Sequence, residues 1–139
     1  MSLPDQLTLE VAVPERLLVR EIVTQVQIPA EGGYFGVLPG HAPLMSKLGI
    51  GVLSFQSGSR TRYMSIHGGV VEVLPDHVRV LADAAEWAEE IDVKRAEEAR
   101  GRANDLLQRH DMEIDVERAM RAVERAQARL AATSRLKAA

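Results

Sequence analysis

The chain has 139 residues, 46% hydrophobic and 27% charged, which suits a packed core and excludes disorder as the default. Its formal net charge of −3 argues against sequence-independent binding to nucleic acid. It has no cysteine, which removes disulfides, thiolate catalysis and cysteine–zinc sites together.

The apolar runs fall far short of a membrane span, and the N-terminal MSLPDQLTLE lacks a signal-peptide core. Aromatic residues are only 4%, so the core must be built from Val, Ile, Leu and Ala. From Leu7 to Leu81 the apolar period is two. Leu7, Leu9, Val11 and Val13 alternate with Thr8, Glu10 and Ala12, and Ile22, Thr24, Val26 and Ile28 repeat the pattern. Short runs at Gly51–Gln56, Thr61–Ile66, Val70–Leu74 and His77–Leu81 follow. Turn chemistry at Ser57-Gly58-Ser59, Gly68-Gly69 and Pro75-Asp76 separates them. This spacing predicts an antiparallel sandwich or barrel rather than βαβ units.

Within that region, Gly32 to Leu44 (GGYFGVLPGHAPL) is unusual. Gly32, Gly33, Gly36 and Gly40 admit positive φ or close backbone approach, while Pro39 and Pro43 fix φ and remove donors. One continuous strand or helix is therefore excluded. The segment reads as a half-buried elbow presenting a rigid surface; locally, a plain corner between strands explains it equally well.

After Glu90 the period becomes helical. Ala96, Ala99, Ala103 and Leu106/Leu107 form one stripe; Val116, Met120, Val123, Gln127 and Leu130, with Ala119 and Ala126, form a second. Asp92 and Asp115 suit the N-caps, and His110-Asp111-Met112-Glu113-Ile114 reads as a short link. The predicted class is α+β: an N-terminal antiparallel β-sandwich or barrel over residues 1–88, then an antiparallel two-helix hairpin over 89–139. Small-residue faces make the hairpin marginally stable and able to leave its partner surface.

No catalytic constellation stands out, and no metal site is expected. His41, His67, His77 and His110 are scattered, none at metal-ligand spacing, and each reads as a surface or turn histidine. There is no Walker-type motif, no GxGxxG opening a helix and no GxSxG elbow. The second helix carries more information. Arg118, Arg121, Arg125 and Arg129 fall roughly opposite its apolar stripe. Residues 116–139 hold six basic side chains against two acidic ones, a local charge of +4 in an acidic protein. Charge alone leaves two readings open: a solvated face, or contact with an acidic partner.

In combination, Gly36-Val37-Leu38-Pro39-Gly40-His41-Ala42-Pro43-Leu44, His67-Gly68-Gly69-Val70-Val71-Glu72-Val73 and Val78-Arg79-Val80-Leu81-Ala82-Asp83 are specific. They resemble the epsilon subunit of bacterial F-type ATP synthase, and the resemblance covers nearly the whole chain. It implies a non-catalytic rotor subunit of the central stalk, peripheral to the cytoplasmic face of the bacterial cell membrane. The sandwich would bind the gamma subunit and the c-ring, with Tyr34, Gly36, Pro39, Gly40, His41, Ala42 and Pro43 as contact candidates. The hairpin would lie folded on the sandwich, or extend into the alpha/beta head and hinder ATP hydrolysis. In the extended state Arg118, Arg121, Arg125 and Arg129 would meet the acidic segment of beta.

Ile91-Asp92-Val93-Lys94-Arg95-Ala96 also matches the [I/L]DxxRA motif, which binds ATP in some bacterial members. Carried over, Asp92, Arg95 and Ala96, with Glu86, Arg102, Arg125 and Arg129 placed by spacing, are nucleotide-binding candidates. No cofactor is required, and ATP would be a regulatory ligand. The motif's Asp92 is equally a natural N-cap. In a motif-like echo, Ile114-Asp115-Val116-Glu117-Arg118-Ala119, capping explains the aspartate and the apolar flanks but does not require the arginine, which leaves a shared task open. Two departures from the family stand out. Tyr34 replaces the usual acidic residue of the elbow corner. His67 replaces a hydroxyl or small residue, which adds pH dependence or merely fills a turn. The alternative function is an ATP-sensing small-ligand module; a dispersed enzyme active site has no residue group to support it.

Overall fold

The computed structural model describes residues 4–109 and 113–139, so His110, Asp111 and Met112 of the expected link lie outside the described residues. The alternating segments form eight strands. They are β1 (Leu7–Val13), β2 (Arg16–Val23), β3 (Gln25–Ala30), β4 (Gly33–Val37), β5 (Leu44–Ser57), β6 (Arg60–Leu74), β7 (His77–Ala82) and β8 (Ala85–Trp87). A 3₁₀ turn over Ala88–Glu90 leads into α1 (Val93–Gln108), followed by α2 (Val116–Ala138). The strand order is β2-β1-β7-β6-β5-β3-β4, with β8 paired to β6.

Three strand expectations change. The Ile22–Ile28 pattern is two strands, because the chain bends at Thr24 between β2 and β3. The sheet is not wholly antiparallel, since β1 and β7 run parallel from Thr8↔His77 to Ala12↔Leu81. Gly68-Gly69 is not a turn between strands but a bend inside the single strand β6. Before the bend β6 pairs with β8, and from Gly69 onward it pairs with β7. Gly69 has φ +121°, and a Cβ there would lie 2.1 Å from the Leu81 carbonyl oxygen, so only glycine lets the strands close at that point.

Every strand from β1 to β7 contributes to one apolar core. Leu9, Val11, Ile28, Val37, Leu53, Phe55, Met64, Ile66, Val71 and Val80 are buried there at the alternate positions a sheet dictates. The long β5–β6 ribbon has a second use. On its other face Val52 and Tyr63 pack with Ala88, Ile91 and Ala132 beneath the hairpin. Arg135 of α2 lies 4.8 Å from the centroid of the Tyr63 ring and reinforces that contact.

Both helices are capped as their sequences predict. The Asp92 and Asp115 side chains accept from the Arg95 and Arg118 backbone N–H groups, each at 3.1 Å. The faces differ from the expected stripes. On α2 the buried residues are Ala119, Ala126, Ala128, Ala132 and Thr133, whereas Val116 and Met120 are about half exposed (54% and 50%) and Gln127 is exposed. Small residues win the interface because they let the backbones approach. On α1, Ala96 and Ala103 are buried, while Leu106 is exposed.

Candidate functional site at the sandwich–hairpin junction

The 3₁₀ turn places Glu90 just before Ile91, whose burial fixes where α1 starts. Asp92 and Arg95 then stand on the first turn of α1 and face a cavity of about 430 Å³. Its wall comprises Glu86, Glu90, Asp92, Arg95, Ala96, Ala99, Arg102 and Arg129. Strand β8, the 3₁₀ turn and both helices therefore meet around one polar space with three carboxylates and three guanidiniums. Such a set can hold phosphate oxygens on its arginines and amine or hydroxyl donors on its acids.

Of the sequence candidates, Asp92, Arg95, Ala96, Glu86, Arg102 and Arg129 are brought together here. Arg125 is not among the lining residues. It is half-buried and close enough to His67 to act on its charge. Sequence reasoning missed Glu90 and Ala99. Their signal was weak: Glu90 ends an acidic pair just before Ile91-Asp92, and Ala99 lies on the expected apolar stripe of α1. Arg129 Nε donates to Glu86 Oε1 at 2.5 Å across the cavity. Asp92 spends one carboxylate oxygen on its cap bond. Among the described residues Arg95 and Arg102 have no ion-pair partner.

The expected surface histidine His67 is buried beneath α2, at 6% exposure. The physical reason is the bend at Gly68-Gly69, which keeps residue 67 inside β6 on the hairpin side. Burial, and after it the Arg129 guanidinium, hold its pKa at about 4 rather than 6.5; Glu86 pulls it upward and Arg125 downward.

The elbow is built as a strand followed by a shaped turn. Strand β4 stops at Val37, and Gly40, with φ +87°, donates to the Pro75 carbonyl at 2.7 Å. The His41 ring lies 6.5 Å from that of Phe35, and Leu38, Ala42, Pro43, Leu44 and Met45 are left exposed. Tyr34 turns back over the sheet: its hydroxyl accepts from the Val52 N–H at 2.9 Å. It thereby joins Ile50, Gly51 and Val52 in lining a small cleft against Glu124, Gln127 and Ala128 of α2. Gly36 lies against Gln27, where a Cβ would meet the side-chain amide.

The arginine stripe divides. Arg118 and Arg121 are exposed, the latter 3.8 Å from Glu117, whereas Arg125 and Arg129 are half-buried against the sandwich. No helix among the described residues is long and apolar enough to cross a membrane.

The protein is thus a strand sandwich with a two-helix hairpin laid on it and a mixed-charge cavity at their junction. The chain belongs to the ATP synthase delta/epsilon family. The family's beta-sandwich domain matches residues 6–88 and its long alpha-helix domain residues 89–134. The chain is 57% identical to the ATP synthase epsilon chain of Solibacter usitatus, over 93% of this chain and 96% of that one. It is 45% identical to that of Syntrophobacter fumaroxidans, over 91% and 94%. A chain of the Euglena gracilis mitochondrial ATP synthase superposes with a TM-score of 0.84 at 26% identity, over 95% of this chain and 84% of that one. A Tetrahymena thermophila chain, at 12% identity and TM-score 0.66 over 95% and 99%, shares the fold. The chain is thus of the bacterial F-type epsilon kind, a rotor subunit of ATP synthase.

Proposed function

We propose that this subunit restrains ATP hydrolysis through its hairpin, and that ATP in the junction cavity holds the hairpin back. The observation that carries the reading is the cavity itself. Its wall draws on β8, the 3₁₀ turn, α1 and α2, so a ligand filling it touches every element of the docked arrangement. Such a ligand binds the docked state better than an undocked one and shifts the population toward it. Arg95 and Arg102 supply cationic groups unengaged by ion pairs among the described residues, and the volume lies within the range of small-molecule pockets.

In this reading the sandwich attaches to gamma and to the c-ring through the elbow, where Tyr34, Gly36, Pro39, Gly40, His41, Ala42 and Pro43 shape the presented surface. The subunit is then peripheral to the cytoplasmic face of the bacterial cell membrane. It does no bond chemistry of its own. Released, the hairpin carries Arg118, Arg121, Arg125 and Arg129 to carboxylates of the beta subunits in the alpha/beta head. The alternative, a module whose whole work is ATP sensing, shares the cavity but needs no head contact.

Two measurements separate these readings. Calorimetric titration of the full chain with ATP should show saturable binding that Arg95→Ala abolishes. Hydrolysis by a catalytic head reconstituted with the chain should be inhibited at low ATP and recover as ATP fills the cavity. Binding without any effect on hydrolysis would leave the sensing module; neither binding nor inhibition would end the regulatory reading.

A further inference from the structure

We propose that His67 makes docking of the hairpin acid-labile: the docked face accepts only a neutral imidazole, so protonating it drives α2 off the sheet. Ser65 and His67 lie two residues apart on β6, on the face that α2 covers, and both are buried. Ser65 pairs across the ladder with Glu86 of β8, and the His67 N–H donates to the Ala84 carbonyl at 2.9 Å. The ring is fixed from one side only, with Nε2 3.2 Å from Ser65 Oγ. Nδ1 has no hydrogen-bond partner among the described residues.

A neutral ring tolerates this arrangement. Its Nε2–H bonds the hydroxyl, and Nδ1 keeps an unused lone pair at small cost. A protonated ring does not, because Nδ1–H becomes a buried donor without an acceptor, beside two cations. The charged groups acting on it are Arg125 and Arg129 from α2 and Glu86 from β8; the Asp83 carboxylate, in the β7–β8 turn, borders the neighbouring Gly68. Its ladder partner on β5, Ile50, is uncharged. Glu86 is the obvious counter-ion, and Arg129 already holds it.

The direction of the linkage follows. Docked, the ring titrates at about 4; released into water it returns toward 6.5. The undocked state therefore binds the proton more tightly. Docking is strongest above the released value and weakens as pH falls through it, until the docked value is reached. From about pH 7.5 to about pH 5.5 the docking equilibrium loses roughly tenfold. If the hairpin inhibits as proposed above, acidification becomes a second signal for inhibition, opposing ATP. That consequence rests on the proposed function; the acid-labile docking does not.

The test reads docking in the isolated full chain without nucleotide, so its failure is distinct from failure of the inhibitory role. Because the chain has no cysteine, Ser54→Cys introduces a single thiol at a buried position on the covered ribbon. Its labelling by dithiodipyridine, divided by the rate for the same thiol in an unstructured peptide, gives the opening constant. The expected result is a rise of about tenfold between about pH 7.5 and 5.5, and less than twofold when His67→Ser is added. An equal pH response with and without His67, or none with it, overturns the proposal. Should His67→Ser not fold, NMR titration of the His67 ring in the unaltered chain decides. A midpoint well below 6 in the docked form sustains the proposal; an ordinary midpoint overturns it.

Discussion

Arg129 on α2 and Glu86 on β8 stand 43 positions apart and meet at 2.5 Å, the one ion pair among the described residues that ties a helix of the hairpin to a strand. Both side chains keep partial exposure, 29% and 38%, so the bond is worth about 1 kcal/mol rather than the several expected of a buried pair. Glu86→Gln should therefore loosen docking roughly fivefold. Distance measurement between labels on α2 and on the sandwich checks this, and the loss should shrink as salt is raised.

That pair also shows where sequence reading stops. Local signals were legible: period-two strands, the break at Pro39 and Pro43, two aspartate caps and a helical hairpin. The candidates around Asp92 and Arg95 were legible too, since a motif and helical spacing placed them. What stayed hidden depends on distant segments meeting. Glycine doublets usually mark turns, and only the pairing of β6 with both β8 and β7 makes Gly68-Gly69 a bend that keeps His67 inside. Likewise Val116 and Met120 look like core by period, yet it is the small residues of α2, four alanines and Thr133, that are buried.

Gly69→Ala tests that bend directly. The added methyl would collide with the Leu81 carbonyl, at a backbone angle that side chains avoid. The strain should cost about 3 kcal/mol or more and leave the sandwich largely unfolded in thermal melts followed by circular dichroism. Gly58→Ala, also at positive φ but with open space around it, should cost only about 1 kcal/mol.

Tyr34 satisfies a backbone N–H that the β3–β5 ladder leaves free, because the register shifts between Gln27 and Ala30 and Val52 finds no strand partner there. Tyr34→Phe keeps the ring and removes the acceptor. A loss of about 1 kcal/mol, seen as a fall of a few degrees in Tm, is expected. A Tm unchanged within error would mean that water replaces the hydroxyl at no cost.

Asp92 has two duties that one substitution pair can separate. Serine caps helices nearly as well as aspartate but carries no charge, whereas alanine does neither. Asp92→Ser should leave α1 intact and weaken ATP binding. Asp92→Ala should do both kinds of harm, with helix destabilisation of about 1 kcal/mol in thermal unfolding. If Asp92→Ser binds ATP as the unaltered chain does, the carboxylate serves only as a cap.

The fold splits the arginine stripe into an exposed pair, Arg118 and Arg121, and a half-buried pair, Arg125 and Arg129. Arg118 and Arg121 are exposed in the docked state and contribute little to it, the 3.8 Å contact with Glu117 being a solvated pair within one helix. Their charge is available to an acidic partner once the hairpin is released. Replacing both with glutamine should therefore relieve inhibition of hydrolysis and leave docking unchanged. Arg129 belongs to the docked state through Glu86, so Arg129→Gln should shift the chain toward release. It also removes one contact with the head, but Arg118, Arg121 and Arg125 remain unaltered on α2. With a balanced hairpin, a shift of about 1 kcal/mol changes the released fraction several-fold, so the net expectation for Arg129→Gln is stronger inhibition. Hydrolysis by the reconstituted head, measured at low and high salt with gamma binding as the control, distinguishes the pairs. Equal effects of both replacements would mean that the stripe acts only as summed charge, and that the docked ion pair has no part in setting the resting state.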